Sequence, residues 1–94
     1  MKKFPDALDT AAITTVYVVK YSSPILSVFH YLDGYWQFSG AEENLPDEDF
    51  MILRLDEIIA IDPSVLEVSD MPLGYSASRK TPVSQWVILH ENLE

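Results

Sequence analysis

From Glu42 to Asp49 the chain reads EENLPDED, five carboxylates (Glu42, Glu43, Asp47, Glu48, Asp49) in eight residues with no cation among them. Such a density suits one of four tasks: holding a metal, acid–base catalysis, attracting a basic partner, or solvating a loop. Calcium loops space their ligands as D-x-[DN]-x-[DN]-G and close on a bidentate Glu, and this stretch does neither. No ordered divalent ion is therefore expected there. Zinc is a poorer fit still, with two histidines sixty positions apart and no cysteine. General acid–base work needs two carboxylates held in different environments. An exposed polar loop gives all five the same one, which argues against catalysis.

The other reactive side chains are scattered. Nine serines and two histidines are present, but no G-x-S-x-G elbow. His90 lies close to the end of the chain, and His30 lies mid-strand with Gln37 expected opposite. Glycines at 34, 40 and 74 form no phosphate loop. Arg79 and Lys80 beside Tyr75 offer a small anion patch, although pairing of Arg79 with acids of the opposite loop, or plain solvation, is the ordinary role of such a side chain. The expectation is a protein that is not an enzyme, with no catalytic residues, no cofactor and no metal.

Charge narrows the partners. The formal net charge is −9 over 94 residues. Between Tyr21 and Ser78 there are eleven acids and a single base, Arg54, while Lys2, Lys3, Lys20, Arg79 and Lys80 sit toward the ends. A surface of this sign repels nucleic-acid phosphates and anionic lipid and attracts a basic protein. No apolar run approaches the roughly 18 residues of a membrane span. Met1-Lys2-Lys3 resembles the start of a secretory signal, but Pro5, Asp6 and Asp9 stand where its apolar region would be. A soluble, cytoplasmic domain with neither nucleic acid nor membrane as partner is the expectation.

The elements that must position these residues follow from patterning. Residues 1–11 are polar and read as a loose N-terminal segment; residues 12–90 read as one α+β domain; residues 91–94 read as a tail, its Leu93-Glu94 partly vector-derived. AITTVYVVK, from Ala12 to Lys20, is β-branched and aromatic and reads as one strand. ILSVFHYL and YWQFS flank Asp33-Gly34, a two-residue hairpin signal. That turn pairs Leu32 with Tyr35, Tyr31 with Trp36, His30 with Gln37 and Phe29 with Phe38. It gathers Phe29, Tyr31, Trp36 and Phe38 on one buried face and leaves His30 and Gln37 on a wetter one. FMILRL reads as a strand, and LDEIIAID as a short helix with Asp56 as N-cap. Asp62-Pro63 starts a second short helix, Asp62 capping and Pro63 in the first turn. YSASRK and QWVIL close the chain as strands. The sum is a single α+β domain with a largely antiparallel or mixed sheet of about five to six strands and two short helices.

Three pieces carry a resemblance. The W-x-F-S-G-x-E run on Trp36, Phe38, Ser39, Gly40 and Glu42, the I-D-P-S-x-L segment from Ile61 to Leu66, and G-x-x-A-x-R on Gly74, Ala77 and Arg79, with a late Trp86, occur in that order. Together they resemble a family of small bacterial domains grouped with the immunity proteins of polymorphic-toxin systems. The likeness covers about residues 25–87, and the chain departs from it in a shorter acidic loop interrupted by Pro46. It implies a non-catalytic domain that binds and neutralises a toxin. The residues themselves support two classes. One is a protein-binding module that meets a basic partner through Tyr35, Trp36, Glu42, Glu43, Asp47, Glu48 and Asp49, rings anchoring and acids steering. The other is a small-ligand or regulatory domain using the sheet face around His30 and Gln37.

Overall fold

In a computed structural model, described over residues 2–94, the chain forms a six-stranded mixed sheet with short helices on one side. The strands are β1 (Ala11–Thr15), β2 (Ser27–His30), β3 (Trp36–Ser39), β4 (Phe50–Arg54), β5 (Tyr75–Ser78) and β6 (Val87–His90). Their order across the sheet is β4-β1-β3-β2-β5-β6. Only β1 and β3 run parallel; the other four pairings are antiparallel.

The β2–β3 hairpin departs from the expected register by one residue. His30 pairs with Trp36, Phe29 with Gln37 and Val28 with Phe38. A two-residue type I′ turn needs positive φ at both Asp33 and Gly34, and here only Gly34 has it, at +99°. The chain instead turns through three residues. Gly34 N–H donates to the Tyr31 carbonyl, Tyr31 N–H donates to the Tyr35 carbonyl, and the Asp33 carboxylate accepts from Tyr35 N–H at 3.1 Å. Leu32, expected opposite Tyr35, donates instead to the Leu93 carbonyl at 2.8 Å, so residues 91–94 hold the turn from outside.

Side chains alternate along a strand, so a slip of one position reassigns the faces. The expected cluster Phe29–Tyr31–Trp36–Phe38 is split. Trp36 and Phe38 keep a common buried face, joined there by Val28 and His30, while Phe29 and Tyr31 stack together on the other side. The vacancy in the aromatic cluster is taken by Phe4, which meets Trp36 edge-on at 4.9 Å and Phe38 at 6.2 Å between ring centroids. Residues 1–11 are thus not loose throughout, because Phe4 is part of the core.

The expected strand from 12 to 20 also divides. β1 ends at Thr15, whose hydroxyl accepts from Val18 N–H and caps a five-residue helix, α1 (Val16–Lys20). VYVVK has poor helix propensity, but Val18 is buried in the core, and tertiary packing overrides a weak local preference. α2 (Leu55–Ile61) follows β4 without a break. Arg54, not Asp56, is its N-cap residue; Glu57 reaches back to accept from Arg54 N–H at 2.9 Å. Asp62 then caps the 3-10 helix Pro63–Val68 through Ser64 N–H, with Pro63 in the first turn. Leu55, Ile58, Val65 and Val68 are buried against Ala12, Val28, Trp36, Phe38 and Ala77. All this lies on one face of the sheet.

Candidate functional site

The opposite face has no helix over it. It carries Ile13 on β1, Phe50 and Ile52 on β4, Gln37 on β3, Phe29 on β2 and Leu89 on β6, aligned by the strand pairings. Ile52 is 63% exposed and Leu89 53%, while Phe29, Ile13 and Gln37 are half-buried by one another. At its centre a hydrogen-bond chain fixes the polar side chains. Tyr31 O–H donates to Gln37 Oε1 at 2.7 Å, and Gln37 Nε2 donates to Ser39 Oγ at 2.9 Å.

Topology brings the acidic loop to one end of this face. Because β1 and β3 are parallel, the turn into α1 and the loop leaving Ser39 emerge at the same end of the sheet. The loop must cross β1 to reach β4 at the edge. Along the way it is tied to the α1 side. Glu42 Oε2 accepts from Ser23 Oγ at 2.9 Å, and Asp49 accepts from Tyr17 O–H at 3.3 Å. The charge of Asp49 holds the Tyr17 hydroxyl above its ordinary value. Asp47–Asp49 form one 3-10 turn, with Asp47 and Glu48 exposed beside Glu43. Arg54, on β4, is held by Asp56 through both carboxylate oxygens, at 3.0 and 2.6 Å.

Between loop and sheet lies a cleft of about 470 Å³ walled by Phe29, Gln37, Ser39, Glu42, Glu43 and Phe50. Glu42 and Glu43 bring carboxylate to it, Phe29 and Phe50 apolar surface.

The expected partner-binding set is therefore regrouped. Glu42, Glu43, Asp47, Glu48 and Asp49 stay together. Tyr35 is 52% exposed but stands at the hairpin end of β3, about 13 Å at ~3.3 Å per strand residue from Ser39, where the chain leaves the sheet toward the acidic loop. Trp36 is fully buried and offers nothing to a partner; its indole N–H donates to Asp6 at 3.2 Å. His30 and Gln37 do not share a face. His30 is 7% exposed, stacked on Trp36 and hydrogen-bonded through Nδ1 to the Met71 carbonyl at 2.8 Å, while Gln37 lies on the open side. The separation of His30 from Gln37 follows from the one-residue shift of the hairpin.

Arg79 is neither a solvated side chain nor an anion site. Its side chain is 2% exposed, and all five of its N–H groups are spent inside the protein. They reach the Ile25 carbonyl twice, Ser64 Oγ, the Pro82 carbonyl and Asp62 Oδ2 at 2.8 Å, with the guanidinium 4.0 Å above the Trp86 ring. Its acidic partner is the cap of the 3-10 helix, not the 42–49 loop. The open-face residues Phe29, Phe50 and Ile52 were missed as site residues because their strands read as ordinary core; the excess of apolar side chains over the helices available to cover them was the usable signal.

Among the described residues no three His, Asp or Glu side chains converge as a metal site, and no helix is long and apolar enough to cross a membrane. Compared with known proteins, the chain matches no family model, no curated protein and no solved structure.

Proposed function

We propose that this domain is a non-catalytic, cytoplasmic protein-binding module that masks a basic surface on its partner, as the likeness to immunity proteins implies. The observation that carries it is the uncovered sheet face, with Ile52, Phe50 and Leu89 exposed and, at its end, the acids of the 42–49 loop, which form no ion pair among the described residues. An exposed apolar patch rimmed by charge marks an interaction surface, and the sign of the rim selects a cationic partner. The small-ligand reading loses its ground, since His30 and Gln37 point to opposite sides of the sheet.

Affinity capture with the immobilised domain tests this. A basic protein should be retained at low salt, released as salt rises, and lost with an Ile52→Asp variant whose melting temperature is unchanged. The recovered protein, purified and titrated, should repeat that pattern. Equal capture by wild type and Ile52→Asp would sink the proposal.

A further inference from the structure

The cleft beneath the acidic loop contains an uncompensated anion. Glu42 Oε2 is bonded to Ser23, but Oε1 is buried and has no hydrogen-bond partner among the described residues. Glu42 also belongs to none of the three ion pairs among the described residues. A carboxylate oxygen out of water without a donor is costly. The fold nevertheless makes room for it. Gly40 has an ordinary negative φ, so its conformation does not call for glycine, yet a Cβ there would stand 2.6 Å from Glu42 Oε1. Glycine at 40 is what lets this carboxylate fold down beside the cleft, which gives S-G-x-E a physical sense beyond a turn.

What the cleft lacks can be stated chemically. Arg79 reaches its wall but has no donor to spare. Among the described residues no third His, Cys, Asp or Glu joins the two glutamates as a metal-binding group. The remaining walls are the Phe29 and Phe50 rings, and the floor is Gln37 and Ser39, held in place by Tyr31. Two glutamates in the lining, aromatic walls and a polar floor suit a planar, weakly hydrated cation on an apolar stem. A guanidinium meets all of these terms, bonding carboxylates in pairs and stacking on rings, where an ammonium keeps its water.

We infer that the Phe29–Gln37–Ser39–Glu42–Glu43–Phe50 cleft receives an arginine side chain of the partner protein, its guanidinium between the Glu42 and Glu43 carboxylates and its stem against Phe29 and Phe50. The inference rests on the partner-binding reading above and names the residue that reading requires.

Amide-resolved NMR titration with three blocked tripeptides, Gly-Arg-Gly, Gly-Lys-Gly and Gly-citrulline-Gly, together with agmatine, tests it. Gly-Arg-Gly should give saturable shifts confined to Phe29, Gln37, Ser39, Gly40 and the loop. Gly-Lys-Gly should bind several-fold more weakly, and the uncharged citrulline peptide should leave these amides unmoved. Glu42→Gln and Glu43→Gln should each weaken Gly-Arg-Gly by about tenfold, the worth of one charge-assisted hydrogen bond. Glu67→Gln, on the opposite side of the molecule, should leave it unchanged. Should Glu42→Gln disturb the fold, Glu43→Gln, at an exposed position, decides alone. Shifts spread over Asp33, Asp56 and Asp70, equal response to lysine, or equal loss with Glu67→Gln would overturn the inference in favour of plain charge attraction. Agmatine binding ten times tighter than the peptide would overturn the protein source in favour of a free small cation. If the peptide arm fails while Ile52-dependent capture persists, only the arginine assignment falls.

Discussion

The imidazole of His30 lies flat on the indole of Trp36, ring centroids 3.7 Å apart and planes 10° from parallel. The two are directly paired across β2 and β3. This contact fixes which side of the hairpin is core, and with it which side is left for a partner. His30 Nδ1 is anchored to Met71 and Trp36 Nε1 to Asp6, so both rings are held at their polar ends as well as by stacking.

Trp36→Ala should therefore cost about 3–5 kcal/mol, the range for removing a buried large aromatic. It leaves Phe4, Phe38 and His30 around a void and Asp6 without its donor. Chemical denaturation with an unchanged m-value reads the loss directly. A shift of less than about 1 kcal/mol would mean that Trp36 is on the surface.

Phe4→Ala tests whether the N-terminal segment is part of the fold. Phe4 is 6% exposed and meets two rings of the core edge-on. A loss of roughly 3 kcal/mol is expected, together with altered fluorescence from Trp36. A tail with no structural role would leave the denaturation midpoint where it was.

The parts of this fold written in local chemistry were legible in the sequence. Asp62-Pro63 announces a cap and a first turn, and both form. FMILRL and the alternating YSASRK read as strands and become β4 and β5, the second ending at Ser78. What failed needed tertiary information. Asp33-Gly34 is compatible with two hairpin loops, and in the one adopted Leu32 bonds Leu93, sixty-one residues away in sequence. VYVVK becomes helix only because the chain must leave β1 at Thr15 and bury Val18. The acidic loop was legible as charge, but its place beside an uncovered sheet face depends on the crossing over β1, which no local signal encodes.

Arg79→Lys should behave as a severe core mutation despite keeping the charge. Three rotating donors on a compact ammonium cannot reproduce a planar fork bonded to Ile25, Ser64, Pro82 and Asp62, nor its stacking on Trp86. Each buried acceptor left without its donor typically costs about 1–3 kcal/mol. Removing Asp62 as well should add far less than its own single effect. Full additivity in the double-mutant cycle would show that the two residues do not act as one unit.

Stability should fall in alkali for a definable reason. Burial, and then the nearby Asp33 charge, raise the Tyr31 hydroxyl above its ordinary value of about 10, and Asp49 does the same to Tyr17. A tyrosine whose folded value is raised favours the fold below the unfolded value of about 10 and loses that contribution as pH rises through the folded one. Melting temperature should thus decline as pH rises past the ordinary tyrosine value, and Tyr31→Phe with Tyr17→Phe should flatten that decline. Phenolate absorbance would follow the same residues; two tyrosines titrating at the ordinary value in the folded protein would contradict the contacts assigned to them.

The exposed acids and Glu42 should separate kinetically. Glu43, Asp47, Glu48 and Asp49 lie on a loop whose field extends about a Debye length, ~8 Å at physiological salt. Charges at a rim change the rate of encounter more than the rate of escape, whereas buried contacts set dissociation. With a purified basic partner, changing these four to amides should slow association several-fold at low salt and flatten its salt dependence, and any faster dissociation should be no more than that of Glu43→Gln alone, the one member of the set that lines the cleft. Glu42→Gln should do the reverse, because this carboxylate is folded against Gly40 and Ser23 and acts at contact range. Stopped-flow association at two salt concentrations, with dissociation by competition, distinguishes the two sets. If the four-amide variant associates as fast as wild type at low salt, the loop does not steer. If Glu42→Gln then also leaves dissociation unchanged, the acidic stretch serves only to solvate the crossing from β3 to β4.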